Sequence, residues 1–213
     1  MLSVDMTSLW GDDNEKIVKG VSEATNNIVL YRKSRNISEV MFEALLEDIT
    51  VICCFWTGNT YIGCAKESVV KNAFQSFFEE LMNLLLVMKS SNRDYEATFA
   101  DKLLYRGKVY RYLGNASPSD DIVKPVFDGV YVSWDKEPEN WYITSKLYGT
   151  ITWLSCEISA PFYGIDLDNL GCLRANEHEV VFPTIEKCIT EIKYISEEDN
   201  DKTGRIDKES LPE

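Results

Sequence analysis

Histidine is almost missing from this chain: His178 is the single example among 213 residues. A Ser-His-Asp or Cys-His nucleophile would have to be built around it. Alternation along a strand would turn it away from the two acids on either side of it, so that class of chemistry is not expected. Cysteine is present as Cys53, Cys54, Cys64, Cys156, Cys172 and Cys188, but no two of them form a CxxC pair with metal-ligand spacing. With one histidine to join them, a zinc site lacks partners. Several of these cysteines lie inside apolar runs, which reads as buried free thiols in a reducing compartment. Basic residues are scarce as well: 22 Lys and Arg stand against 35 Asp and Glu, a formal net charge of −13. Such a surface repels nucleic acid and anionic lipid at long range and favours basic partners. An anionic cofactor would have to be held by a local cluster of donors. No apolar run is long enough to cross a bilayer. The opening Met1-Leu2-Ser3-Val4-Asp5 has no basic segment ahead of an apolar one, so no signal peptide is expected. These absences together predict a cytoplasmic protein with no membrane contact and no direct nucleic-acid binding.

The material that is present suffices for one substantial core, or a core with a helical cap. The first half carries helical signals. Ser38 is placed to cap a helix through Val40, Met41, Ala44, Leu45 and Ile49, with Glu39 in its first turn. A turn is expected at Thr57-Gly58-Asn59-Thr60. From about Lys66 to Lys89, Val70, Phe74, Phe77, Leu81, Leu84 and Met88 recur at spacings of three and four, widened by Phe78 and Leu85. That pattern predicts a long helix with one apolar face, most simply a core face. A short helix is expected from Asp94 to Lys102.

The second half changes character. Leu103–Leu113, Gly129–Trp134, Thr150–Ile158, Glu177–Phe182 and Cys188–Ile195 are short runs rich in β-formers. Helices first and strands afterwards predict an α+β fold with a mainly antiparallel sheet structure. The expected organisation is a helical N-terminal portion over residues 1–95, a core over 96–196 and an acidic, disordered tail over 197–213.

One segment draws attention to chemistry. Asn176-Glu177-His178-Glu179-Val180-Val181-Phe182-Pro183 places two carboxylates at the mouth of an apolar run. In a strand, Glu177 and Glu179 share a side and His178 takes the other. Two solvated acids on an edge strand are the simpler reading of this pattern alone, and the sequence upstream shifts the balance. A strand with an arginine, Leu104-Tyr105-Arg106-Gly107, is followed by one with a serine, Tyr131-Val132-Ser133-Trp134, and then by the glutamate strand. Between the last two lie Ile151-Thr152-Trp153-Leu154 and a Gly-hydrophobic-Asp turn, Tyr163-Gly164-Ile165-Asp166-Leu167.

In this order the segment 100–196 resembles the mono-ADP-ribosyltransferases of the arginine–serine–glutamate class, found among bacterial toxins and phage enzymes. The resemblance implies a core of two packed, mainly antiparallel β-sheets. It also implies transfer of ADP-ribose from NAD to a protein side chain, with release of nicotinamide. An arginine fork suits a pyrophosphate, and a carboxylate stabilises the cationic ribose that forms as the glycosidic bond breaks. By this resemblance Glu179 is the catalytic carboxylate, Glu177 orients or deprotonates the acceptor, which is expected to be arginine, and Ser133 anchors Glu179 and the nicotinamide ribose. The resemblance favours Arg106, in the Tyr-Arg-Gly form with Gly107, as the NAD-binding arginine, with Arg111, nearer the strand end, as the alternative. Lys108 is a further cation on this strand. Alternation puts the two arginines on opposite faces of a regular strand. The family's Ser-Thr-Ser is here Ser133-Trp134-Asp135, which keeps the first hydroxyl and puts an acid third. Trp134 packs in the core or stacks on nicotinamide. Trp141 and Tyr142 are expected in the segment over the cofactor. Two other functions remain open: an NAD glycohydrolase on the same scaffold, and a non-catalytic acidic protein that binds and inhibits a partner. A base-directed transferase is a weaker third.

Overall fold

The computed structural model describes residues 14–34, 37–58, 68–112, 132–136, 153–158, 160–171, 179–182 and 189–195. Helices make up most of this. They are α1 (Asn14–Lys33), α2 (Glu39–Gly58), α3 (Ser68–Lys89) and α4 (Asp94–Leu103). The strands are β1 (Leu104–Tyr105), β2 (Lys108–Tyr112), β3 (Val132–Asp135), β4 (Trp153–Ile158), β5 (Gly164–Asp166), β6 (Glu179–Phe182) and β7 (Ile189–Ile195). Among the described residues all the strand pairs are antiparallel, and the fold class is α+β. The proposed tail over 197–213 lies outside the described residues, as do Glu177, His178, Trp141 and Tyr142.

The helices follow from their spacing. In α1, Ile17, Val21, Ala24, Ile28 and Tyr31 recur at three and four and are all buried. Arg32 and Lys33 occupy its last turn, where the helix dipole favours cations. Ser38 caps α2, its hydroxyl accepting the Met41 N–H at 3.3 Å. The buried face of α2 runs through Phe42, Leu45, Ile49, Ile52, Cys53 and Trp56. The helix continues through Thr57 and Gly58, where the sequence suggested a turn. Burial of Trp56 and Thr57 extends the apolar face by a turn and outweighs the local turn preference of Thr-Gly. Every apolar residue expected on the face of α3 is buried there. α1 lies against both α2 and α3, and α4 packs against α3. One hydrophobic cluster joins all four helices to Ile165, Leu167 and Val181 of the strand region.

The strands form a single hydrogen-bonded run in the order β1-β5-β6-β3-β2-β4-β7, where two packed sheets were expected. The chain itself shows why this run is not flat. β1 and β2 are separated by only Arg106 and Gly107, so Tyr105 and Lys108 are at most roughly 11 Å apart. Yet β5, β6 and β3 lie between them in the sheet, which in a flat sheet would be roughly 19 Å across. The β5-β6-β3 run must therefore curl so that one bent segment flanks it on both sides. The bend is local to Gly107. A Cβ there would lie 2.9 Å from the Tyr105 hydroxyl, which reaches over the bend to donate to the Lys108 carbonyl at 2.8 Å. The segment is thus not one regular strand. The expected Gly-Ile-Asp turn is also different: Gly164–Asp166 is the short strand β5, and the turn follows as a 3₁₀ segment at Asp168–Leu170.

The cysteines divide. Cys53 is a free, buried thiol, whereas Cys54 is disulfide-bonded, a correction to the expectation of free thiols throughout. Sequence spacing tests for local pairs, but a disulfide needs only two Cα atoms brought together by the fold. The thiols therefore give no support to a reducing compartment.

Candidate functional site

β6 reads Glu-Val-Val-Phe, and all four residues are buried. A strand with β3 on one side and β5 on the other has no free edge, and continuous burial marks cover on both faces. Glu179 opens this strand at 7% exposure. A carboxylate so deep needs donors. One comes from across the fold: the Trp56 indole N–H of α2 donates to Glu179 Oε1 at 2.9 Å. Trp56 is itself fixed by aromatic packing, with Phe74 at 5.0 Å and Phe78 edge-on at 5.2 Å between ring centroids. Cys53 lies one helical turn before Trp56. Its thiol is pushed well above its usual range, chiefly by burial and secondarily by the negative charge of Glu179. The Glu179 main chain is held as well, since its carbonyl accepts the Leu167 N–H at 2.9 Å.

Backbone register places the other candidates. Asp135 of β3 is the direct partner of Glu179, and Ser133 is the partner of Val181, two residues further along the same strand. The acid in the third position of the serine motif thus stands directly across from the glutamate. Trp134 pairs with Val180. On the far side of β3, Tyr110 of β2 pairs with Asp135. Glu179, Asp135 and Tyr110 therefore form one cross-strand row, and Arg111 falls in the next. Its main chain is two strands from β6, or roughly 10 Å along the sheet. The three strands with Glu179, Ser133 and Arg111 are immediate neighbours in the order β6-β3-β2.

Arg106 is elsewhere. Tyr105 pairs with Gly164 on β5, so Arg106 falls level with Tyr163, four rows from Glu179 and two strands over. That is roughly 16 Å along the sheet. Its side chain is engaged locally: the guanidinium lies 4.1 Å from the Tyr163 ring centroid, and Nε donates to the Phe162 carbonyl at 3.2 Å. It is exposed, and the structure does not bring it to the glutamate. Gly107 shapes the bend described above.

A second polar group adjoins this row. Lys136, one residue beyond Asp135, donates to both Asp166 oxygens at 3.0 and 2.9 Å and pairs with Asp168 at 2.9 Å. Asp166 also accepts from the Asn169 amide at 3.0 Å and the Asp168 N–H at 3.2 Å. Burial, the largest influence, raises the Asp166 carboxyl above its ordinary value, and Lys136 only partly opposes it. Burial works against the Lys136 charge, but its bonds to Asp166 and Asp168 prevail and hold it above its ordinary value. This network ties the end of β3 to the turn after β5. Nothing in the sequence flagged Lys136, while Asp166 entered only as part of a motif. Trp56 was also missed; it is 123 residues from Glu179 in sequence, and no local pattern links the two.

A groove of about 520 Å³ lies at the other end of the helices, lined by Tyr31, Arg32, Arg93 and Glu96 among others. It includes none of the site candidates. Among the described residues no group of three or more His, Cys, Asp or Glu could hold a metal ion. No helix among them is long and apolar enough to cross a membrane. No protein-family model, curated protein or solved structure matches this chain.

Proposed function

We propose that the chain is an NAD-dependent mono-ADP-ribosyltransferase that modifies a protein side chain, with arginine as the acceptor. The observation that carries this reading is the adjacency of β6, β3 and β2. Glutamate, serine and arginine come from segments far apart in sequence, and this adjacency gathers them on neighbouring strands. NAD would supply the ADP-ribosyl group through cleavage of its bond to nicotinamide, a step in which positive charge develops on the ribose. Glu179 is the carboxylate that stabilises this charge, and its burial gives it a low-dielectric setting in which such stabilisation is strong. Ser133 is the hydroxyl that anchors the ribose. The pyrophosphate ligand would be Arg111 or Arg106: Arg111 is nearer along the sheet but falls in the row next to Glu179, which regular alternation turns to the opposite face, and Arg106 is four rows away. Glu177 is the acceptor-orienting group by resemblance alone.

The test is incubation with NAD labelled in the adenylate portion, with and without an arginine-rich protein acceptor, while nicotinamide release is followed. The wild type is expected to label the acceptor. Glu179→Gln should lower transfer by about a hundredfold or more while NAD still binds. Nicotinamide release without labelled protein would indicate a glycohydrolase instead. Undiminished transfer by Glu179→Gln would refute the assignment of Glu179.

A further inference from the structure

We infer that Trp56, from the helical half of the chain, is the positioning residue for the Glu179 carboxylate. This rests on the enzymatic reading above. The helical portion had no functional motif of its own, yet it supplies a side-chain donor to Oε1, at 2.9 Å. Three features make this contact more than incidental packing. Both partners are buried, Trp56 at 6% and Glu179 at 7%, so water does not compete for the bond. The indole cannot swing away, because Phe74 and Phe78 pack against it. The main chain on each side is regular structure, the last turns of α2 and the first residue of β6. A rigid donor on a rigid helix therefore fixes one oxygen of a carboxylate on a rigid strand. An enzyme needs such support to hold a reacting group in place, and misplacement by about 1 Å costs roughly a hundredfold. Trp56 does not itself act on substrate in this scheme. It acts through Glu179.

Phenylalanine at position 56 removes the N–H and keeps most of the ring packing. For Trp56→Phe, kcat for nicotinamide release from NAD should fall about ten- to hundredfold with KM within about twofold of wild type. In a Glu179→Gln background the same substitution should change kcat by less than about twofold, because the group it positions has already gone. An unchanged kcat, a raised KM with kcat preserved, or an equal further loss in the Glu179→Gln background would each overturn the inference. A second measurement does not require the Trp56 variant to fold. In ¹⁵N-labelled protein, the Trp56 indole N–H resonance, assigned through its contacts to Phe74 and Phe78, should move upfield in Glu179→Gln, where a neutral oxygen replaces a charged one. An unmoved resonance denies the bond. A moved resonance in a protein whose wild type releases no nicotinamide confirms the bond but rejects the enzymatic reading, and the positioning role falls with it.

Discussion

Replacing Gly164 by alanine should destabilise the protein through one identifiable collision. Gly164 is buried in β5, paired with Tyr105 of β1 on one side. A Cβ built there overlaps Val180 Cγ1 outright, sits 3.0 Å from Ile158 Cδ1 and lies 3.6 Å from Phe182 Cβ. Carbon atoms pack comfortably at about 3.5–4.0 Å, so Val180 or the backbone must shift by roughly 1 Å. Val180 is fully buried and Ile158 nearly so, and a β-branched side chain has little rotamer freedom with which to escape. Overpacking of this kind costs about 1–3 kcal/mol. The lost freedom of the unfolded chain returns about 0.4–1 kcal/mol. The overlap with Val180 puts the cost toward the upper end of its range, about 2–3 kcal/mol, so a net loss of about 1–2.6 kcal/mol remains, which for a chain of this size lowers Tm by about 2–10 °C. Thermal unfolding followed by circular dichroism reads this directly. Val180→Ala makes room for the methyl group, so the double variant should lose less than the sum of the two single losses. Val180 is the next residue after Glu179, so the displacement also reaches the carboxylate, and the rate of NAD turnover should fall alongside. A Tm within 1 °C of wild type, or strict additivity with Val180→Ala, would refute the steric argument.

Two further outcomes follow from buried polar groups. The Tyr31 hydroxyl donates to Glu96 Oε1 at 2.7 Å, and burial, followed by that bond, raises it far above its ordinary value of 10.0. Above about pH 10 the unfolded chain therefore releases this proton while the folded chain keeps it. Stability present below that pH should fall at a limiting slope of about 1.4 kcal/mol per pH unit. Tyr31→Phe should flatten this decline in urea titrations at pH 9 to 11, and an unaltered slope would contradict the assignment. Lys136→Met leaves Asp166 buried without its cation and should cost about 3 kcal/mol in urea unfolding. A loss below about 1 kcal/mol would show that the ion network contributes little to holding the turn after β5.

Much of the helical half was legible in the sequence, because amphipathic spacing is a local property. The face of α3 from Val70 to Met88 is buried as its periodicity requires, and Ser38 caps the helix it precedes. Strand positions were legible too, in composition and alternation, at β3, β4, β6 and β7. Errors arose where a local preference met a tertiary demand. Thr57-Gly58 carries turn preferences, but Trp56 and Thr57 are buried and the helix runs on. The run from Leu103 to Leu113 reads as one strand, but curling around β5, β6 and β3 requires a break at Gly107. The Gly-Ile-Asp motif signals a turn, yet its glycine is there because Val180 leaves no space for a Cβ.

The sequence by itself determined the helices from α2 to α4, most of the strands, and the order of the arginine, serine and glutamate along the chain. Those properties depend on neighbours within a turn or two. Only the tertiary structure decided that β2, β3 and β6 lie side by side, that Arg106 stacks on Tyr163 far from Glu179, and that an indole from the helical half meets the glutamate. Strand pairing joins residues through register, and core contacts join them through burial. Neither leaves a mark in local sequence when the partners stand 123 residues apart.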